Sequence, residues 1–154
     1  MKTLILYASK YGAAKEIAGR IAKKIDGSVI YDLKQGNIPP LSQFGCVILG
    51  SSVYAGSIRK EAKAFLEKNA GELSGRKLGL FLSGFSPDND FAKVFPPKVL
   101  QAAKAKANLG GIFDPGKAGA AERFIIKIVM KQTEYTDTIS NEQITRFVGD
   151  LDIY

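Results

Sequence analysis

Lys2-Thr3-Leu4-Ile5-Leu6-Tyr7-Ala8 is an apolar run that stops abruptly at Ser9-Lys10-Tyr11-Gly12-Ala13-Ala14-Lys15. The first half reads as a strand, and the second as a short loop that carries a hydroxyl and opens directly into a helix. Such a junction is a ready anion site, because the first N–H groups of a helix lack intrahelical partners and carry partial positive charge. A phosphate is the expected ligand. The better-known phosphate loops are excluded by spacing: the G-x-x-x-x-G-K-[ST] loop and the G-x-G-x-x-G turn both need more glycines than Gly12 alone. The acidic residues of a phosphorylated receiver are missing from the end of the run. The cysteine nucleophile of a phosphatase is missing from the loop, since the sole cysteine is Cys46. What remains is phosphate held by backbone N–H groups, hydroxyl and Lys10, or a strand-to-helix turn that binds nothing.

Working outward, Ala14, Ile17, Ala18, Ile21, Ala22 and Ile25 recur at three- and four-residue steps, with Lys15, Glu16, Arg20, Lys23 and Lys24 on the other face. That period predicts an amphipathic helix, closed after Asp26 by Gly27 in the left-handed region. Residues 28–33 read as a second strand. Residues 36–40 read as a loop, because Pro39 and Pro40 remove two donors and fix the backbone. The continuous apolar run Cys46-Val47-Ile48-Leu49-Gly50 suits a strand buried on both faces, with Cys46 in the core. Residues 51–57 read as a loop at its carboxyl end. A helix with Ile58, Ala62, Phe65 and Leu66 on its apolar side should follow. The run 78–82 is the next buried strand, ending in a loop over 83–90. Pro96 and Pro97 open a helix expected to continue through Val99, Leu100, Ala103 and Ala107. Residues 109–113 read as a short edge strand, and Ile144, Phe147, Val148 and Leu151 line a final helix.

Strand and helix thus alternate, and the buried strands are too apolar to be half exposed. This predicts a single α/β domain over residues 1–154 with a doubly wound parallel sheet. Ligands of such sheets sit beyond the carboxyl ends of the strands, where the strand order reverses. The loops after Ala8, Gly50 and Leu82 should therefore meet.

At 154 residues the chain can bury roughly 68–70% of its unfolded surface, a conventional core. With one cysteine and no histidine, internal disulfides, the common zinc sites and histidine general bases are excluded. A reducing, cytoplasmic setting is the expectation. The opening apolar run is too short for a signal-peptide core, and nothing approaches the ~18 apolar residues of a membrane span. The net charge of +7, from 22 Lys and Arg against 15 Asp and Glu, favours anionic small molecules or lipid headgroups as partners. The cations are spread over several helix faces without interleaved aromatics, which argues against nucleic acid.

Three stretches resemble the flavodoxin-like family, and within it the group that includes the menaquinone-dependent protoporphyrinogen oxidase. They are Lys2-Thr3-Leu4-Ile5-Leu6-Tyr7 with Ser9-Lys10-Tyr11-Gly12, then Gly50-Ser51-Ser52 through Tyr54-Ala55-Gly56, then Glu122-Arg123-Phe124-Ile125-Ile126-Lys127-Ile128-Val129-Met130-Lys131. The resemblance implies a five-stranded parallel sheet in the order 2-1-3-4-5 and FMN as cofactor. Ser9, Lys10, Tyr11, Gly12, Ala13 and Ala14 would then wrap the phosphate. Ser52, Val53, Tyr54, Ala55 and Gly56 would flank one side of the isoalloxazine, and Ser83, Gly84, Phe85, Ser86 and Asp88 the other, with Tyr54 and Phe85 the aromatics near the ring. The loop is poorer in hydroxyls than the family's usual pattern, so phosphate binding would lean on Lys10 and backbone N–H groups.

No carboxylate pair, triad or metal cluster supplies a separate catalytic site, so the redox chemistry would belong to the flavin. The resemblance implies an FMN-dependent oxidoreductase passing electrons from an organic substrate, such as a porphyrin, to a quinone or protein acceptor. The alternatives are a flavodoxin-type electron carrier without substrate chemistry, or a domain that kept the fold and lost the cofactor. Electron-carrier flavodoxins are usually acidic, and the basic charge here suits an anionic substrate or membrane instead. Residues 122–131, apolar with Arg123, Lys127 and Lys131, read either as a buried helix or as a surface for a quinone, a partner or the inner face of the membrane.

Overall fold

Thr3–Ala8 forms strand β1, and all six residues are buried, which is why the stretch is apolar without alternation. The computed structural model describes residues 1–54, 56–85, 91–114 and 135–153. The chain continues as α1 (Ala13–Ala22), β2 (Val29–Asp32), β3 (Cys46–Tyr54), β4 (Ser57–Ile58), α2 (Lys60–Ser74), β5 (Lys77–Ser83), α3 (Phe91–Val94), α4 (Pro97–Ala102), β6 (Ala103–Asn108), β7 (Ile112–Phe113), β8 (Thr136–Asp137) and α5 (Asn141–Leu151). The main sheet has the order β2-β1-β3-β5-β6, with β4 folded back on β3. Every neighbouring pair along that path is parallel. Setting the short β4 aside, this is the expected five-stranded 2-1-3-4-5 sheet, and the order reverses between β1 and β3.

Alternate residues of β1 feed two cores. Leu4, Leu6 and Ala8 pack with Leu49, Leu66, Leu80 and Val99 on the face covered by α2 and α4. Ile5 and Tyr7 pack with Ile17, Ile21, Ile48, Phe81 and Phe147 on the face covered by α1 and α5. Each buried isoleucine of α1 contributes about 1.5–3 kcal/mol, which holds the start of that helix against the carboxyl end of β1. On the same face Phe147 meets Phe81 edge to face at 6.2 Å. Gly50 is the cross-strand neighbour of Phe81, and a Cβ on Gly50 would stand 2.0 Å from that ring. Cys46 is a core residue as expected, fully buried, and burial pushes its thiol up to about 11 against the opposing pull of a hydrogen bond with Thr3 and of Lys77.

Several boundaries differ from the sequence reading. α1 ends at Ala22, short of Ile25, with Gly27 left-handed in the turns that follow. Residues 51–57 are not a loop throughout: β3 runs on to Tyr54, and Ile58, expected on a helix, sits in β4. The left-handed Gly56, at φ 78°, makes the turn between them. The helix begun at Pro97 ends at Ala102, and residues expected to continue it form β6. Alanine and lysine favour helix intrinsically, yet they alternate here. Ala105 is buried while Lys104 and Lys106 stay exposed, a pattern that suits a sheet edge protected by charge. Residues 109–113 are consequently not the fifth strand; Ile112–Phe113 pairs instead with Thr136–Asp137 in a separate antiparallel ribbon. The apolar run 124–130 lies outside the described residues.

Candidate functional site

The carboxyl ends of β1, β3 and β5 lie side by side, with Ala8 opposite Ser51 and Ser52 opposite Ser83. The loop after β1 is shaped by Ser9, whose Oγ accepts a hydrogen bond from Gly12 N–H at 2.8 Å. Gly12 then turns into the left-handed region at φ 102° and caps α1 without any side-chain cap bond. Its carbonyl accepts from Glu16 N–H at 3.0 Å, which closes the first helical turn. The N–H groups of Ala13, Ala14 and Lys15 precede that bond and have no intrahelical acceptor, as the first donors of any helix do. Ala13 and Ala14 are themselves buried in the core, so they offer a ligand only their backbone.

Ser52 joins the first loop to the second: its Oγ accepts from Lys10 N–H at 3.1 Å. The Lys10 ammonium lies 3.7 Å from the centroid of the Tyr54 ring and 5.6 Å from that of Tyr11. A cation–π contact of this kind contributes about 0.5–2 kcal/mol. Lys10, expected at the phosphate, is thus also a brace between the loops, and it covers one face of Tyr54. Ser51, absent from the residues expected at the site, is a fully buried hydroxyl. It accepts from Arg59 N–H and donates to the Ser52 carbonyl, both at 2.9 Å, locking the turn that carries Val53, Tyr54 and Gly56.

Ser83 is not in the third loop but buried at the end of β5. Gly84 approaches Val53, and its N–H donates to the Gly110 carbonyl at 3.2 Å. Gly110 stands at φ 97° with room for no side chain, because a Cβ would lie 2.2 Å from the Thr138 carbonyl oxygen. Asn108 accepts from Gly110 N–H, and Thr138 Oγ1 accepts from Gly111 N–H, each at 3.0 Å. Sequence reasoning does not anticipate this strap; the Gly110-Gly111 pair is its one signal. Phe85 is half-buried at the edge of the described segment. Ala55, Ser86 and Asp88 lie outside the described residues, as does the 122–131 stretch.

The geometry suits a phosphorylated, ring-bearing cofactor. The Tyr11 hydroxyl is buried with no hydrogen-bond partner among the described residues, a donor that a ligand would satisfy. Space around the Cα of Gly12 is open, and a methyl group placed there would have nothing within 4 Å. Ser9 and Ser52 accept backbone bonds and each keeps its own hydroxyl hydrogen to donate. Among the described residues no group of His, Cys, Asp and Glu could hold a metal ion, and no helix is long and apolar enough to cross a membrane.

Adjoining carboxyl ends of β1, β3 and β5 at the reversal of strand order, with the N-terminus of α1 beside them, are the place where doubly wound sheets of the nucleotide-cofactor class bind. The chain belongs to the flavodoxin domain family, whose model matches residues 4–140. FMN is the cofactor this membership supports. Among solved structures, rubredoxin oxygen:oxidoreductase from Desulfovibrio gigas superposes with a TM-score of 0.57 at 18% identity over 96% of this chain. This chain spans only 37% of that protein. A Streptococcus pneumonia TIGR4 flavodoxin matches with a TM-score of 0.57 at 16% identity, covering 99% of this chain and 98% of its own. A Lactobacillus acidophilus NCFM flavoprotein in complex with FMN matches with a TM-score of 0.50 at 18% identity, over 71% of this chain and 91% of its own. At these identities the likeness is one of fold. No curated protein matches the chain in sequence.

Proposed function

We propose that this protein is an FMN-dependent oxidoreductase that passes electrons from an anionic organic substrate to a quinone or protein acceptor, with a porphyrinogen as the first substrate to test. The observation that carries the cofactor is the orphan Tyr11 hydroxyl in a loop whose Gly12 leads α1 into the crevice. Bound FMN supplies the redox chemistry. The chain supplies the hold: Ser9, the Gly12 backbone and the first N–H groups of α1 take the phosphate, while Tyr54 at the end of β3 and Phe85 after β5 flank the ring. The Lys10 ammonium on Tyr54 and the net charge of +7 favour approach of an anion such as a propionate-bearing porphyrinogen or a negatively charged headgroup.

The superposition on a flavodoxin over 99% of this chain and 98% of that one favours a second reading, an electron carrier that docks on redox partners. Anaerobic stopped-flow absorbance on the FMN-loaded protein separates the two. The oxidoreductase reading expects bleaching of the flavin bands by protoporphyrinogen and their return on adding a menaquinone analogue. Bleaching only by a partner reductase, with no turnover of either compound, establishes the carrier. A purified protein that is colourless and whose spectrum ignores added FMN overturns both.

A further inference from the structure

A groove of about 670 Å³ lies beyond the far side of the α1 N-terminus, between α1 and β2 and away from the β1–β3 crevice. That volume is in the range of small-molecule sites. Gly12 and Lys15 line it from the start of α1, and Tyr31 and Asp32 from the end of β2. Asp32 closes β2 directly beside Tyr7 of β1. Its Oδ1 accepts from Lys34 N–H at 2.9 Å, which fixes the carboxylate and leaves the second oxygen as an acceptor. Glu16, the other carboxylate of the groove, is paired with Arg20 at 3.0 Å.

Two features mark the groove as built for a ligand. Tyr7 lines it although only 8% exposed, and among the described residues its hydroxyl makes no hydrogen bond. Burial, and then the Asp32 charge, raise its pKa, so the hydroxyl stays a donor at neutral pH. Gly19 stands inside α1, where glycine is unfavourable, yet a Cβ there would meet nothing within 4 Å. Packing does not demand this glycine. Its effect is to leave the groove wall open.

In the doubly wound sheets that bind dinucleotides through a G-x-G-x-x-G turn, an acidic residue about 20 positions on hydrogen-bonds the ribose 2′-hydroxyl; this chain lacks that turn, having Gly12 alone, and shares with it only the place of the acid. Asp32 has that place relative to Gly12. We propose that the groove is a nucleoside subsite: ribose hydroxyls on Asp32 and Tyr7, base towards Tyr31, and the 5′-phosphate at Lys15 and the α1 N-terminus. The inference rests on the phosphate position given above for FMN. The nucleoside comes either from the adenylate half of a flavin adenine dinucleotide or from a separate nucleotide. Asp32 would repel a phosphate on the ribose 2′-oxygen.

Calorimetric titration of the full chain with adenosine 5′-phosphate, FMN and flavin adenine dinucleotide tests this. Adenosine 5′-phosphate should bind at least tenfold more tightly than its 2′-deoxy form and than adenosine 2′,5′-bisphosphate. Asp32→Asn, which keeps an acceptor for Lys34, should weaken adenosine 5′-phosphate about tenfold and abolish discrimination against the bisphosphate. Gly19→Leu, helix-compatible, should block the nucleotide while FMN affinity stays unchanged. A dinucleotide at least tenfold tighter than FMN, with the gain lost in Asp32→Asn, assigns the nucleoside to the flavin. A dinucleotide equal to FMN, with adenosine 5′-phosphate binding in competition with FMN, assigns it to a separate nucleotide. The proposal is overturned if adenosine 5′-phosphate does not bind and the dinucleotide is no tighter than FMN, or if neither variant alters nucleotide binding. Failure of FMN alone to bind overturns the proposed function and leaves these outcomes readable.

Discussion

Replacing Gly12 by alanine or valine separates the backbone's part in the cofactor site from everything else. At φ 102° an L-residue is strained by about 1–2 kcal/mol, and a β-branched one by more. No protein atom lies within 4 Å of the added Cβ, so there is no packing penalty to add. If the loop keeps its shape, the strain appears as lost stability. At about 2–4 °C per kcal/mol for a chain of this size, Gly12→Ala should melt roughly 2–8 °C lower. If the loop relaxes to negative φ, the strain is paid at binding instead, because Ser9 and the first N–H groups of α1 no longer converge. FMN affinity then falls about five- to thirtyfold. Flavin fluorescence titration and thermal melts on the same samples capture both arms, and their combined cost should equal about 1–2 kcal/mol for alanine, with a larger loss of affinity for valine. Two variants that melt with the wild type and bind FMN equally would refute the assignment of this loop to the phosphate.

Gly50→Ala should destabilise by about 1–3 kcal/mol, the usual cost of overpacking, because its Cβ would stand 2.0 Å from the Phe81 ring; an unchanged urea midpoint would show that Phe81 can move aside freely. For Cys46, the fold holds a proton up to about pH 11 against an ordinary thiol value of 9.0. The unfolded chain releases that proton first, so the contribution is intact below pH 9 and is lost as pH rises toward 11, roughly 2–3 kcal/mol in all. Denaturation midpoints taken from pH 8 to 10.5 should fall more steeply for wild type than for Cys46→Ala, and parallel profiles would contradict the burial argument.

The fold is legible where one requirement dominates. Strands buried on both faces have to be continuously apolar, so β1, β3 and β5 stand out, and α1 declares itself by its isoleucine spacing. Residues 103–108 read as helix because Ala and Lys carry strong helix propensity. What makes them a strand is lateral pairing with β5, a non-local fact that a window of sequence does not contain. The first site loop is legible from its neighbours in sequence. The third wall is not, because Gly84 is held by Gly110 and, through Gly111, by Thr138, residues far along the chain. Ser51 and Ser52 look alike in sequence. They part company only because successive strand residues face opposite ways, one hydroxyl going to Arg59 and the other to Lys10.

The hydroxyl-poor loop follows from the same geometry. Ala14 is fully buried against Ile17 and Ile5, so a threonine there would place its hydroxyl in an apolar core, at a cost of about 1–3 kcal/mol if unsatisfied. Ala13 is nearly as enclosed. Side-chain donors are therefore closed off at Ala13 and Ala14, and the Lys10 ammonium rests on Tyr54, so on the proposed reading the phosphate is left to the Ser9 and Tyr11 hydroxyls, to backbone N–H groups and to the exposed Lys15 in the first turn of the helix. Backbone donors recognise a phosphate without recognising what it is attached to. On the proposed reading, selectivity among phosphorylated ligands then comes from the walls: Tyr54 and Phe85 on one side of Gly12, and Tyr7 with Asp32 on the other.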